Sequence, residues 1–196
     1  CKTCAIMTGF GGAGAFSDGK YNITNEFGGN LHEYIGKEKA TELMKYVDGI
    51  NMQYGGDGAR LYSTADTSIK KLCLQNNLHL LDASVRHLGT DKNYIVLGNI
   101  YDHLKDRVDF YFRTPVITVK AAEEGFDIVT EKETYHAPQC IISVGRSGSK
   151  WMEKVAGELN ISTLSNRVDI GVRVELAAEI FSHLTDELYE SKIVYR

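Results

Sequence analysis

From Lys37 to Tyr54 the apolar residues Ala40, Leu43, Met44, Val47 and Ile50 recur at steps of three and four, which predicts an amphipathic helix. Gly55-Gly56-Asp57-Gly58 ends it as a turn. A second helix is predicted over Asp66–Leu78, with Ile69, Leu72 and Cys73 opposite Lys70 and Lys71, and Asn76-Asn77 suits its end. Leu80–Arg86 reads as a short strand. Thr90 or Asp91 then caps a helix reaching Asp106, with Ile95, Val96, Ile100 and Leu104 as its apolar positions.

After Val108 the period falls to two. Asp109–Phe112, Val116–Lys120, Phe126–Glu131 and Glu133–His136 read as strands, with turns at Glu124-Gly125 and Glu131-Lys132 and with Pro115 at an edge or bend. Cys140-Ile141-Ile142-Ser143-Val144-Gly145 is a near-continuous apolar run, the pattern of a strand buried on both faces in a parallel sheet. Its terminal glycine would let a ligand approach the carboxyl end of that sheet. Trp151–Leu159 is read as a helix and Val168–Leu176 as a strand. The sum is an α/β fold: a parallel sheet with helices, plus a small antiparallel meander.

The segment Gly9–Lys20 breaks these periods. It holds five glycines in twelve positions, and Ser17, Asp18 and Lys20 follow the bare backbone. Glycines allow positive φ and close approach to a flat ligand, and the polar side chains can hold its edge. Gly9-x-Gly11-x-x-Gly14 matches a dinucleotide fingerprint, but that motif needs a buried strand before it and a helix N-terminus after it. Ala5-Ile6-Met7 is too short for the one, and Ser17–Asn22 is a poor start for the other. A glycine-rich turn without any ligand is the plainer alternative.

A strand, a glycine turn and a helix start at Arg86–Asp91 bring a positive dipole end beside Arg86 and His87. Such an end favours an anion by about 0.3–1 kcal/mol. A capped helix beside a surface arginine accounts for the same residues. His87 is a candidate proton donor, with a structural imidazole as the alternative, and Asp18 can brace the loop by local hydrogen bonds.

A net charge of −4 and a pI near 5.9 argue against a nucleic-acid partner. No apolar run approaches the roughly 18 residues of a membrane span, and no leader peptide is recognisable, so a cytoplasmic location is expected. Four cysteines are too few for a disulfide framework in 196 residues. Cys1-Lys2-Thr3-Cys4 could serve a metal, an iron–sulfur cluster or a redox pair, but no second ligand pair stands at a fixed spacing, so no metal is expected. Cys140 reads as a small buried thiol. The ends, Cys1 and Arg196, look cut from within a longer structured chain.

Four stretches in register resemble the FAD-dependent dehydrogenases of the two-dinucleotide-binding-domain flavoprotein group. They are Gly9–Lys20, Arg86-His-Leu-Gly-Thr-Asp91, Val144-Gly-Arg-Ser-Gly148 and Asp169-Ile-Gly-Val-Arg-Val-Glu175. The resemblance covers essentially the whole chain, but the family's N-terminal glycine loop and acidic ribose ligand have no counterpart in it. It implies an incomplete FAD-binding-type domain over residues 1–165 and the start of a substrate or cap domain over 166–196.

By the same likeness Gly11, Gly12, Ala13, Gly14, Ser17, Asp18, Gly19 and Lys20 would lie along the isoalloxazine and ribityl chain. Arg86 would sit on the phosphate side, and Gly145, Arg146 and Ser147 would meet the cofactor from the returning strand. Lys20, or the N–H groups of Gly11–Ala15, would stabilise negative charge on the reduced ring, with His87 as a second catalytic candidate. The implied activity is FAD-dependent hydride transfer on a small-molecule substrate by the longer parent protein, with NAD(P)H as a candidate electron donor; the segment alone is expected to be inactive, and colourless or only weakly flavin-binding. Two alternatives are a non-catalytic nucleotide-binding module on the same scaffold and an interaction domain bearing a large exposed apolar patch.

Overall fold

The computed structural model describes residues 9–65, 67–165 and 168–195. The chain divides into two units, one of Cys1–Val108 with Val174–Arg196 and the other of Asp109–Arg173. The first begins with β1 (Lys20–Ile23), α1 (Leu31–Ile35), α2 (Lys37–Asn51), β2 (Leu61–Ser63) and α3 (Ser68–Gln75). It continues with β3 (Leu78–Leu80), β4 (Ser84–His87) and α4 (Thr90–Leu104). The second unit holds β5 (Val116–Ala121), β6 (Phe126–Thr130), β7 (Thr134–Ala137) and α5 (Ser149–Glu158). The chain then re-enters the first unit through α6 (Ala178–Leu188) and β8 (Ile193–Tyr195).

All strand pairing among the described residues is antiparallel, which corrects the expected parallel sheet. The first sheet has the order β1-β4-β2, with Lys20 opposite His87 and Tyr21 opposite Arg86. Because side chains alternate across a strand, Arg86 and His87 point to opposite faces. Arg86 meets Asp48 of α2, and His87 meets Tyr189 just beyond α6. A second ladder joins β3 to β8. Ile69 and Cys73 of α3, Leu80 of β3 and Leu188 of α6 form a buried cluster, with Leu78 and Leu184 against it.

The second unit is the expected meander, in the order β5-β6-β7, and α5 packs on it. Val119, Val155 and Ala156 are buried, Trp151 Nε1 donates to the Ile117 carbonyl at 2.9 Å, and Thr118 hydrogen-bonds the Glu158 carboxylate.

Other expectations are corrected. Asp109–Phe112 forms no ladder, because Arg113 turns the chain at φ 54 before Pro115. Cys140–Gly145 pairs with no strand among the described residues, with Ile141 93% exposed, and Pro138 just ahead of it lacks a backbone donor. Cys140 is half-buried, and among the described residues the buried thiol is Cys73. Val168–Leu176 keeps its alternating sequence without a partner strand among the described residues, and Val168, Ile170 and Val172 are 83%, 97% and 90% exposed. Period two marks an extended segment, whereas a strand also needs a neighbour to hydrogen-bond. The single strand expected over Leu80–Arg86 is broken at Leu81–Ala83.

The helices agree more closely. Thr67 caps α3 by accepting the Ile69 N–H at 3.1 Å, and Asp66 lies outside the described residues, as do Cys1 and Cys4. At α4 the cap is Gly89, and neither Thr90 nor Asp91 supplies a side-chain cap. Among the described residues no helix is long and apolar enough to cross a membrane.

Candidate functional site

The glycine segment folds as an open loop closed by one 3-10 turn over Gly12–Phe16. Gly9, Gly11, Gly12 and Gly19 all have positive φ, at 97°, 80°, 55° and 63°. Gly11 and Gly19 are glycines for a second reason, because their undersides touch the scaffold. A Cβ on Gly11 would stand 2.8 Å from Leu97 Cδ1, and one on Gly19 would stand 3.0 Å from the Cβ atoms of Asn93 and Leu88. Gly9, Gly12 and Gly14 have nothing within 4 Å of that position. One side of the loop is therefore seated on α4 and the other is bare.

Asn93 of α4 does the seating. It is 1% exposed, and its Nδ2 donates to the Gly14 carbonyl at 2.5 Å while its Oδ1 accepts from the Tyr21 hydroxyl at 2.9 Å. A buried amide with both ends satisfied fixes the loop against the first sheet. Burial raises the Tyr21 pKa, so the phenol stays a donor. Beside the loop lies a cleft of about 280 Å³ lined by Phe10, Ala15, Phe16, Tyr94, Leu97 and Tyr101. The ring pairs Phe10–Tyr101 and Phe16–Tyr94 stand 5.5 Å and 6.1 Å apart at its walls.

At the far end of the loop, five polar side chains converge from distant parts of the chain. Lys20 Nζ is 2.5 Å from Glu190 Oε2. His87 Nε2 is 2.5 Å from the Tyr189 hydroxyl and 3.9 Å from Asp18 Oδ2. The His87 and Tyr189 rings stack at 4.0 Å, and Tyr62 flanks Tyr189 at 5.4 Å with Arg60 over its own ring. Tyr189 has φ 57 and ψ −54, and the Glu190 N–H closes a three-residue turn on the Leu188 carbonyl at 2.6 Å. That is a strained conformation for a residue with a Cβ, of order 1–3 kcal/mol, and such strain gathers at functional sites. Burial, and then the Asp18 charge, raises the Tyr189 pKa, while Lys20 opposes the rise.

The structure thus brings Gly11, Gly12, Ala13, Gly14, Ser17, Asp18, Gly19, Lys20 and His87 onto one loop and the strand beside it. Arg86 faces away from them. Its Nε and Nη2 grip Asp48 at 2.9 Å and 2.7 Å and its Nη1 reaches the Ala59 carbonyl at 2.6 Å, with both side chains nearly buried. The Asp48 hydrogen bond raises its pKa further. An arginine matched to a carboxylate on both prongs offers little net charge to a phosphate. Gly145, Arg146 and Ser147 belong to the second unit, where Gly145 (φ 64) precedes the 3-10 turn Arg146–Gly148 leading into α5.

Compared with known proteins, the chain matches no family model, no curated protein and no solved structure.

Tyr189, Glu190 and Asp48 belong to these networks without a local sequence signal. Asn93 alone could have been found, as a polar residue next to the apolar stripe of a predicted helix. The Tyr189–His87 contact spans 102 residues and leaves no trace in spacing.

Proposed function

We propose that this chain forms the central part of an FAD-dependent oxidoreductase, with the glycine loop as the platform for the cofactor ring. The observation that carries the reading is the asymmetry of the loop: it is pinned below by Asn93 and Leu97, bare above at Gly12 and Gly14, and bordered by an aromatic cleft. The residues fit a flat conjugated group, because open backbone and ring edges contact a planar face without steric conflict. The four sequence stretches that resemble flavoprotein dehydrogenases support the same conclusion.

Bound there, a flavin would supply the hydride chemistry, and the chain supplies position and charge. Backbone N–H groups of the loop, other than those of Gly12 and Ser17 that bond the Gly9 and Gly14 carbonyls, would hold the polar edge of the ring. Lys20 holds a charge already balanced by Glu190, so it contributes to that edge only as half of an ion pair. The Tyr189 hydroxyl, kept protonated and hydrogen-bonded to His87, is the group placed to hold a proton. Arg86 keeps β4 on α2.

The test is a titration of the chain with FAD, followed by quenching of flavin fluorescence, with Gly12→Val alongside. Weak but saturable quenching that the valine abolishes is the expected result, since the chain lacks the family's N-terminal phosphate loop. Absence of binding in the chain, together with a folded but colourless longer protein containing it, overturns the reading.

A further inference from the structure

We infer that Tyr189 and Glu190 form a redox-sensitive latch at the end of the glycine loop: Glu190 holds Lys20 while the ring on the loop is neutral, and releases it when reduction makes that ring anionic. This latch presupposes the flavin reading above and adds a regulation to it. Lys20 ends the loop and begins β1. Its Nζ lies 2.5 Å from Glu190 Oε2, and the two side chains stay 30% and 42% exposed. So open an ion pair contributes little net stability, and a competing anion can displace the carboxylate. Glu190 therefore occupies the ammonium group that a negatively charged ligand on the loop would need.

The backbone that carries Glu190 is strained. Tyr189 has φ 57 and ψ −54, and the Glu190 N–H donates to the Leu188 carbonyl at 2.6 Å. This rare form of the three-residue turn persists in a residue with a Cβ only where its surroundings over-determine it. Two contacts do so here: the Lys20–Glu190 pair, and the Tyr189 hydroxyl on His87 Nε2 at 2.5 Å. The turn is also short and fixed at both ends. Leu188 is 2% exposed within the buried cluster, and the Lys192 carbonyl accepts the Leu81 N–H at 2.9 Å. Only Tyr189, Glu190 and Ser191 lie between those anchors. Loss of one hold lets that short stretch relax while α6 and β8 stay in place, so it has two states, strained and paired or relaxed and unpaired.

A ligand shifts such an equilibrium only by its differential affinity for the two states. The neutral, oxidised ring gains nothing from a freed lysine. A nicotinamide donor changes that by passing hydride: its C4–H bond breaks, an N–H bond forms on the flavin, the donor leaves as its oxidised cation, and the ring keeps one added negative charge. Lys20 then has two anions to choose between. The ring is held in position by the loop, whereas Glu190 must be held by a strained turn, so the lysine turns to the ring and the Tyr189 turn relaxes.

The experiment follows the Glu190 amide by hydrogen exchange in the 15N-labelled 196-residue chain, alone, with excess FAD, and with the same FAD reduced by dithionite. Shifts of the loop amides over Gly12–Ser17 report binding in both redox states. Oxidised FAD should leave the Glu190 rate unchanged. Reduced FAD should raise it about fivefold, the upper end for loss of an exposed ion pair, while the Leu81 amide at the far anchor keeps its rate. Lys20→Met should show the faster Glu190 exchange with no flavin present. Equal Glu190 rates in the two redox states with flavin bound overturn the latch and leave the flavin reading standing, and a Lys20→Met rate equal to that of the unaltered chain does the same. No loop shift in either redox state overturns both.

Discussion

The Tyr189 hydroxyl lies 2.5 Å from His87 Nε2, and the two rings stack 4.0 Å apart across the face of the first sheet. The contact ties the end of α6 to β4, and it holds Tyr189 in a backbone conformation that few residues with a Cβ adopt. Tyr189→Phe keeps the stack and removes the hydrogen bond, so it should cost about 0.5–1.5 kcal/mol in urea denaturation followed by circular dichroism. Combined with His87→Ala in a double-mutant cycle, it should show a coupling energy of about 0.5–3 kcal/mol. A coupling of zero would mean that the two rings are merely adjacent.

Alkaline pH should weaken the first unit. Tyr21 and Tyr189 both hold their protons above the ordinary tyrosine value, chiefly because each is shielded from water. The native chain then retains protons that the unfolded chain releases. Stability from these groups is full below about pH 10 and falls as pH climbs through that value towards the raised native ones. The urea midpoint should drop on that limb, and Tyr189→Phe should flatten the drop. A midpoint that rises there, or an identical slope in the variant, contradicts the assignment.

How much of this was legible in the sequence depends on how far apart the partners are. Helices α2, α3, α4 and α5 were visible because their apolar periods are local, and the meander was visible because its turns sit between short alternating strands. Cys140–Gly145 and Val168–Leu176 misled because alternation or apolar content says that a segment is extended without saying what lies next to it. The glycine loop was legible as bare backbone, and it runs through a 3-10 turn into strand β1 rather than into an α-helix, which agrees with setting the dinucleotide fingerprint aside. Which residues its anchors hold was not legible, since Asn93 reaches back 79 residues to Gly14 and Glu190 reaches back 170 to Lys20.

Asn93 should be the residue whose loss frees the loop. Asn93→Leu leaves the Tyr21 hydroxyl and the Gly14 carbonyl without their buried partner, a loss of about 1–3 kcal/mol. Amide hydrogen exchange over Gly12–Ser17 should speed up well beyond the global effect of the substitution. Equal protection of those amides in both proteins would show that Leu97 and the 3-10 turn suffice.

Gly125 offers a test confined to the second unit. At φ 84, its added Cβ would lie 2.4 Å from the Ala137 carbonyl oxygen, which is backbone and cannot rotate away. Gly125→Ala should therefore destabilise the meander by more than the ~1 kcal/mol of a strained φ alone. Trp151, the chain's single tryptophan, packs on β5 and reports this unit by fluorescence. An unchanged tryptophan transition would show that the hairpin can re-form around the methyl group.

The Arg86–Asp48 pair separates a structural arginine from a ligand-binding one. Both side chains are nearly buried, at 14% and 12% exposure, so removing one strands the other's charge. Arg86→Leu should cost about 3–5 kcal/mol, because an unpaired Asp48 carboxylate remains against α2. Replacing both, as Arg86→Met with Asp48→Leu, should restore much of that loss, since a well-packed apolar pair can match a buried ion pair. An arginine kept for an anionic ligand gives a different pattern: the double variant would fold as well as the parent chain yet lose FAD binding in the fluorescence titration. Recovery of stability together with unimpaired FAD binding is the outcome expected here, and it would place Arg86 in the scaffold.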